Sequence, residues 1–169
     1  VQGGVATADG LTVLNPTDDG VAVSSSGVAS GAVTLVGGSI SGSLGDAIEV
    51  LAGSATVTGT AIASAGLSGL NVQGGTVLAS GGSVLGATTG LAVAGSGDVS
   101  LTDWTIDGTS GAGISQSGGS LSLLDGAVQN AGGAGLVATA GTLSIEGTLF
   151  AGSLLSGVAL SGTLTATVQ

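Results

Sequence analysis

The 169-residue chain contains no Lys, Arg, His, Cys, Met or Tyr, and only one Pro, one Trp and one Phe. Charged residues make up 6% of it, all acidic, for a formal charge of −10. Without side-chain cations it has nothing to neutralise phosphates, which excludes nucleic-acid binding. It has no basic patch for anionic lipid, and no side-chain salt bridge can form. Its acids must therefore be solvated, hydrogen-bonded or metal-bound. The absence of Cys rules out disulfides, thiolate chemistry and Cys-based zinc clusters. No apolar run reaches the roughly 18 residues of a membrane-spanning helix. Asn15-Pro16-Thr17 is closed to glycosylation by its middle residue. The chain begins at Val1 with no signal peptide, and so reads as a processed or excised piece.

What is abundant is glycine, 36 residues, and it is periodic. Every 22nd position from Ile40 reads Ile40, Ile62, Val84, Ile106, Val128, Phe150. The file from Leu35 reads Leu35, Val57, Ala79, Leu101, Leu123, Ile145, and that from Val33 reads Val33, Ala55, Val77, Val99, Leu121, Leu143. A glycine file, Gly31, Gly53, Gly75, Gly97, Gly119 and Gly141, precedes them. A fixed period sustained over six repeats is the mark of a solenoid.

Each repeat alternates apolar and small polar residues, as in Ser120-Leu121-Ser122-Leu123, a period-two strand pattern with the leucines facing in. No stretch carries the helical period. A second strand per repeat is Ile48-Glu49-Val50, Leu70-Asn71-Val72, Leu91-Ala92-Val93, Ile114-Ser115-Gln116, Leu136-Val137-Ala138 and Val158-Ala159-Leu160, at steps of 22, 21, 23, 22 and 22. A third, short strand centres on the Ile40 file. The expectation is an all-β fold: a single-stranded parallel β-helix, three-sided and right-handed, with 22 residues per coil. About seven and a half coils, stacked roughly 4.8 Å apart, give a rod of roughly 35 Å. The interior is expected to be stacked aliphatics, with glycines at corners where φ is positive.

Residues 1–169 read as one β-helix domain, with irregular first coils over 1–30 and regular coils over 31–169. Leu11 and Val13 sit one period before Val33 and Leu35. Asp18, however, falls where Ile40 is expected, and Val21 precedes Ile48 by 27 residues. A loop insertion of about five residues around Ser24 to Ala29 accounts for this at small entropic cost. Neither end reads as a capping helix, so either the parent chain continues as β-helix or copies stack end to end.

At this level of detail the chain resembles the pertactin-like passenger domains of bacterial autotransporters. The likeness rests on segments such as Gly111-Ala112-Gly113-Ile114-Ser115-Gln116-Ser117-Gly118-Gly119-Ser120-Leu121-Ser122-Leu123 and spans roughly residues 20–160. The resemblance implies a secreted, surface-exposed right-handed β-helix, commonly an adhesin or stalk at the bacterial cell surface. It implies a host or cell-surface ligand as partner, beside the second copy that the uncapped ends suggest. Such passengers lead into an outer-membrane barrel, which these residues do not include. The Arg-Gly-Asp loop that some members carry has no counterpart in a chain without Arg.

Polysaccharide lyases and hydrolases share this fold. Asn15-Pro16-Thr17-Asp18-Asp19-Gly20 faintly resembles an acidic polygalacturonase loop. Inverting hydrolysis needs one protonated and one ionised carboxyl about 6.5–9.5 Å apart. Asp18 and Asp19 are adjacent in a turn, with no His, Lys or Arg to grip a uronate or tune a pKa, so a solvated turn is the preferred reading. Asp103 and Asp125 lie one period apart, with Asp107 on the coil of Asp103. These three are the calcium candidates, since carboxylates and turn carbonyls supply the oxygens calcium takes; exposed turn acids are the alternative and the preferred reading. Trp104 is expected to pack over a loop, and Gln116, on an inward position, to cap backbone groups. The outward file Thr12, Thr34, Thr56, Leu78, Ser100, Ser122 and Ser144 resembles the hydroxyl ranks of ice-binding solenoids, interrupted by Leu78 and, beside it, Asp98. The expected function is a non-catalytic extracellular rod with no cofactor and no catalytic residues. Filament subunit, ice-binding solenoid and polysaccharide-binding or -cleaving β-helix are the alternatives.

Overall fold

A computed structural model describes residues 1–26 and 29–169. Among the described residues the regular elements are all strands. They are β1 (Val5–Asp9), β2 (Thr12–Leu14), β3 (Val21–Val23), β4 (Ala32–Val36), β5 (Ser39–Ser41), β6 (Ile48–Val50), β7 (Ser54–Thr58), β8 (Ala61–Ala63), β9 (Ser68–Val72) and β10 (Thr76–Ser80). They continue with β11 (Ser83–Leu85), β12 (Thr89–Val93), β13 (Asp98–Thr102), β14 (Thr105–Asp107), β15 (Ile114–Gln116), β16 (Ser120–Leu124), β17 (Ala127–Gln129), β18 (Leu136–Glu146), β19 (Leu149–Ala151) and β20 (Val158–Val168).

Successive coils stack these strands in three parallel ladders. The first runs β1, β4, β7, β10, β13, β16 and then the C-terminal halves of β18 and β20. The second is a 7-stranded sheet of β2, β5, β8, β11, β14, β17 and β19. The third runs β3, β6, β9, β12, β15 and the N-terminal halves of β18 and β20. The inward files are those the period predicts: Val33, Leu35 and Ile40, with their equivalents as far as Leu143, Ile145 and Val128, are all buried.

The first coil differs from the expected register. Val33 and Leu35 stack on Ala6 and Ala8, not on Leu11 and Val13, and Val13, not Asp18, stacks on Ile40. All three strands of this coil are offset from the next by the 27-residue step that Val21 and Ile48 show. The extra residues lie wholly in the connection from β3 to β4, where Ser26 and Ala29 exchange backbone hydrogen bonds of 2.9 and 3.2 Å. Gly27 and Val28 of the expected insertion lie outside the described residues. Reading the 22-residue period back through this loop misassigns the coil before it. The last coils also depart from three separate strands: β18 and β20 each run 11 residues through the corner between the third and first ladders. The corner survives as the positive φ of Gly141 (99°) and Gly162 (72°), and β20 carries one residue more than β18 there, a register shift between Ala138 and Ala140.

Coils are locked by a glycine file at the start of the third-ladder strands, Gly20, Gly69, Gly90, Gly113 and Gly135, broken by Ala47 before β6. A Cβ on Gly69 would lie 2.5 Å from the Val84 side chain of the next coil and 2.7 Å from the Gly90 carbonyl oxygen. The same Cβ on Gly113 would overlap Val128 and lie 2.6 Å from the Gly135 oxygen. The missing Cβ is thus the space the β-branched file occupies. In a close-packed interior such overlap must be relieved by displacing backbone. Gly113→Ala is therefore expected to destabilise the chain by about 1–3 kcal/mol. Denaturant unfolding compared with Gly4→Ala, where a Cβ meets nothing within 4 Å, checks it; equal midpoints would refute the interlock.

Candidate functional site

One corner of the rod recurs in left-handed conformation in every coil: Gly10, Gly37, Gly59, Gly81, Asp103, Asp125 and Gly147 all have φ between 52° and 64°. Two of the three calcium candidates thus occupy a glycine position, which Asp tolerates better than most residues. Asp107 lies at the end of β14, where its Oδ1 accepts a hydrogen bond of 2.8 Å from Asn130 Nδ2, one coil on. Asp107 is therefore engaged by a neutral amide. Among the described residues no group of three or more Asp or Glu is placed to hold a metal ion.

Trp104 does not pack over a loop. It is 2% exposed and part of the core. Its position is Gly82 in the coil before and Gly126 in the coil after, as the ladder bonds Thr105 N to Gly82 O and Ala127 N to Trp104 O show. A Cβ on Gly82 would fall 2.5 Å from the indole ring. The indole fills space that glycine leaves in the adjoining coil, with its Nε1 buried and without a partner. The void beside it, about 10 Å³ and lined by Leu101, Ile106, Ile114, Leu123 and Val128, is apolar and too small for a ligand.

Gln116 is buried between Val93 and Ala138. Its Nε2 donates to the Thr142 carbonyl at 2.9 Å and to those of Gly118 and Gly119, both at 3.4 Å. It ties the corner after β15 to the next coil. The small Ala138 above it provides the room.

The hydroxyl file lies on the outer face of the first ladder, as Thr34, Thr56, Leu78, Ser100, Ser122, Ser144 and Thr167 in register. Its first member is Thr7, not Thr12, which belongs to the second ladder beside Ser39. The cause is again the 27-residue first step.

A cluster of acids emerges that spacing alone did not bring together. Asp19 Oδ1 accepts the backbone N–H of Asp46 at 2.8 Å. Asp46, 4% exposed, repeats the arrangement one coil further, with Oδ1 accepting the Ser68 N–H at 2.7 Å. Its Oδ2 accepts Asn71 Nδ2 at 2.6 Å. These carboxylate bonds add to the backbone ladder of this corner, which Gly20 N–H to Asp46 O and Ala47 N–H to Ser68 O continue as Gly113 N–H to Ala134 O does further on. Glu49, the register partner of Asn71, points outward in the middle of β6. Burial, then the Asp19 and Asp46 carboxylates, then a hydrogen bond with Asp19 and the charge of Asp18, hold Glu49 above the ordinary carboxylate range. The signal was present in the sequence: the 27-residue step from Val21 to Ile48, applied to Asp19, lands on Asp46.

The family model described as "Right handed beta helix region" matches residues 2–169. The chain belongs to that right-handed β-helix family. Comparison with curated proteins finds no match.

Two outcomes test these assignments. Because Glu49 titrates above its ordinary value of 4.5 when folded, its contribution is full below that value and is lost as pH rises through the folded pKa. Glu49→Gln should therefore melt higher than the parent at neutral pH and lose that advantage below pH 4.5. Melting curves across this range decide it, and an advantage independent of pH would sink the electrostatic cause. Separately, Asp103→Gly and Asp125→Gly should each leave stability unchanged or raise it by about 1 kcal/mol, since glycine is unstrained at this φ. A calcium site would give the reverse, with EDTA lowering the melting temperature of the parent chain.

Proposed function

We propose that the chain is a non-catalytic rod displayed outside the cell, a stalk or adhesin module of the kind represented by pertactin-like autotransporter passengers. The observation that carries this reading is the use to which the acids are put. Asp19 and Asp46 accept backbone N–H groups of the next coil, and Asp107 accepts Asn130. Three of the ten acids are thereby spent on holding coils together. Around them the outer faces carry Ser, Thr, Ala and Gly with single exposed leucines such as Leu44, Leu67 and Leu85, and neither the His, Cys or Lys that activates a nucleophile nor the Arg and Tyr that anchor tight interfaces. Low charge and freedom from Lys and Arg suit a protease-exposed setting. Contact with a host or cell-surface ligand would then be broad and shallow, spread along the length of the rod.

A second reading has one observation in its favour. Glu49, held protonated to higher pH, is a proton-bearing carboxyl beside the Asp18 and Asp19 carboxyls, and glycoside hydrolysis uses such a carboxyl pair, although in direct contact they are too close for the inverting geometry. Against it, Asp19 and Asp46 are already hydrogen-bonded to backbone, and no cation is present to bind a uronate. Reducing-end assays on polyuronates and neutral glycans separate the two. No cleavage above background is expected from the chain or from Asp18→Asn and Glu49→Gln. Activity present in the parent and abolished in either variant would establish the enzyme reading instead.

A further inference from the structure

The corner between the second and third ladders carries an exposed leucine in each of three successive coils. Leu44, Leu67 and Leu85 are 70%, 57% and 55% exposed. Leu44 and Leu67 lie in the turns after β5 and β8. Those turns are joined by the Gly66 N–H to the Ser43 carbonyl and the Leu67 N–H to the Gly45 carbonyl. Leu85 ends β11, where the next coil enters the same corner. Acids fence this strip. A Cβ on Gly45, next to Leu44, would lie 2.4 Å from Asp19 Oδ1 and 3.3 Å from Asp18 Oδ1. Glu49 points outward on β6, and Asp107 is the register partner of Leu85. No side chain of the molecule can offset these charges, since Lys, Arg and His are absent.

We propose that in acid, once this fence is protonated, the leucine corner docks on a second copy, so that rods associate side by side while remaining folded. Acid unfolds ordinary proteins by breaking ion pairs, charging buried His and building up positive charge. This chain has no side-chain cation and therefore none of the three. Protonation removes its charge without reversing it. Asp19, Asp46 and Asp107, which accept hydrogen bonds between coils, keep an acceptor oxygen when protonated. Glu49 faces Asp19, Asp46 and Asp18, with the neutral Asn71 as its register partner. Burial and those carboxylates raise it above its ordinary 4.5, so as pH falls it takes up its proton early. At neutral pH ten negative charges with no complement hold copies apart. In acid an uncharged surface with exposed leucines has nothing to oppose association. The charges select a second copy as occupant, because both partners carry the same fence and lose it at the same pH. A partner with cations would instead be drawn to this corner at neutral pH. The assembly goes beyond the rod reading and can fail without it: a chain that stays monomeric in acid is still a rod.

The test compares sedimentation velocity at neutral pH and at about pH 2.5, below the range in which carboxylates titrate. Trp104 is the only Trp and is buried, so its emission reports whether each sample is folded. The parent chain should be monomeric at neutral pH. In acid it should keep the emission of a buried indole and form species that grow with concentration and reverse on neutralisation. A second variant combines Thr56→Lys, Gln73→Lys, Ser117→Lys and Ser144→Lys, at exposed positions away from the corner. It stays charged in acid and should stay monomeric there. A third, Leu44→Ser with Leu67→Ser and Leu85→Ser, should need at least roughly tenfold more protein to associate. Unfolding of the parent in acid overturns the proposal, as does a folded parent that stays monomeric there or is already associated at neutral pH. A lysine or leucine variant that assembles as the parent does overturns it too.

Discussion

Everything in this molecule answers to one spacing. Parallel strands joined by backbone hydrogen bonds lie about 4.8 Å apart, so each side chain has the same position of the neighbouring coil directly above and below it. A residue is acceptable only if its file accepts it. The Ile40 file can be β-branched because the file it leans over is glycine in all but the Ala47 coil, with no Cβ to displace. Trp104 can be an indole because Gly82 and Gly126 flank it. Gln116 can be buried because Ala138 leaves space for its amide to reach the Thr142 carbonyl. Stability in such a stack is a sum of neighbour-to-neighbour terms, and the unit that matters is the contact between two coils.

The same spacing governs the charges. Stacked acids without a cation repel each other at close range, and this chain has ten of them. It relieves the problem in two ways. In the file of Asp19 and Asp46 each carboxylate takes a backbone N–H of the next coil, so the charge is used as a hydrogen-bond acceptor. Where an acid faces outward beside another coil, a neutral amide follows it: Asn71 stands next to Glu49, and Asn130 reaches Asp107. Around Glu49, burial and the neighbouring Asp19 and Asp46 carboxylates oppose its charge, and the group holds its proton to higher pH.

The architecture was legible in the sequence because the repeat is a direct image of the stacking. Four files in register fixed the inward residues of coils two to six, down to single positions such as Leu121 and Leu123. What was not legible lay where the period breaks or where geometry is set by φ. The five-residue lengthening after β3 shifted the whole first coil, so Val13 rather than Asp18 stacks on Ile40, and Asp46 was hidden as the neighbour of Asp19. The fusion of strands in β18 and β20 left no mark in the alternation, since the corner residues there are as small as elsewhere. The left-handed corner gives Asp103 and Asp125 a backbone reason to exist that their spacing, read as a ligand pattern, does not suggest.

That corner also shows why carboxylates in a solenoid are poor evidence of a site. At a position where the backbone requires positive φ, glycine is the least strained choice, and Asp and Asn are the side chains that tolerate it best. Recurrence one period apart then follows from the fold, because every coil presents the same corner. The acids that carry information are those off the corner file, where φ does not select for them and something else must. Asp46 is such a residue: it is buried, sits before a regular strand, and both its oxygens are occupied. Its partners are the next coil's backbone and an Asn, and what that arrangement accomplishes is the joining of coils.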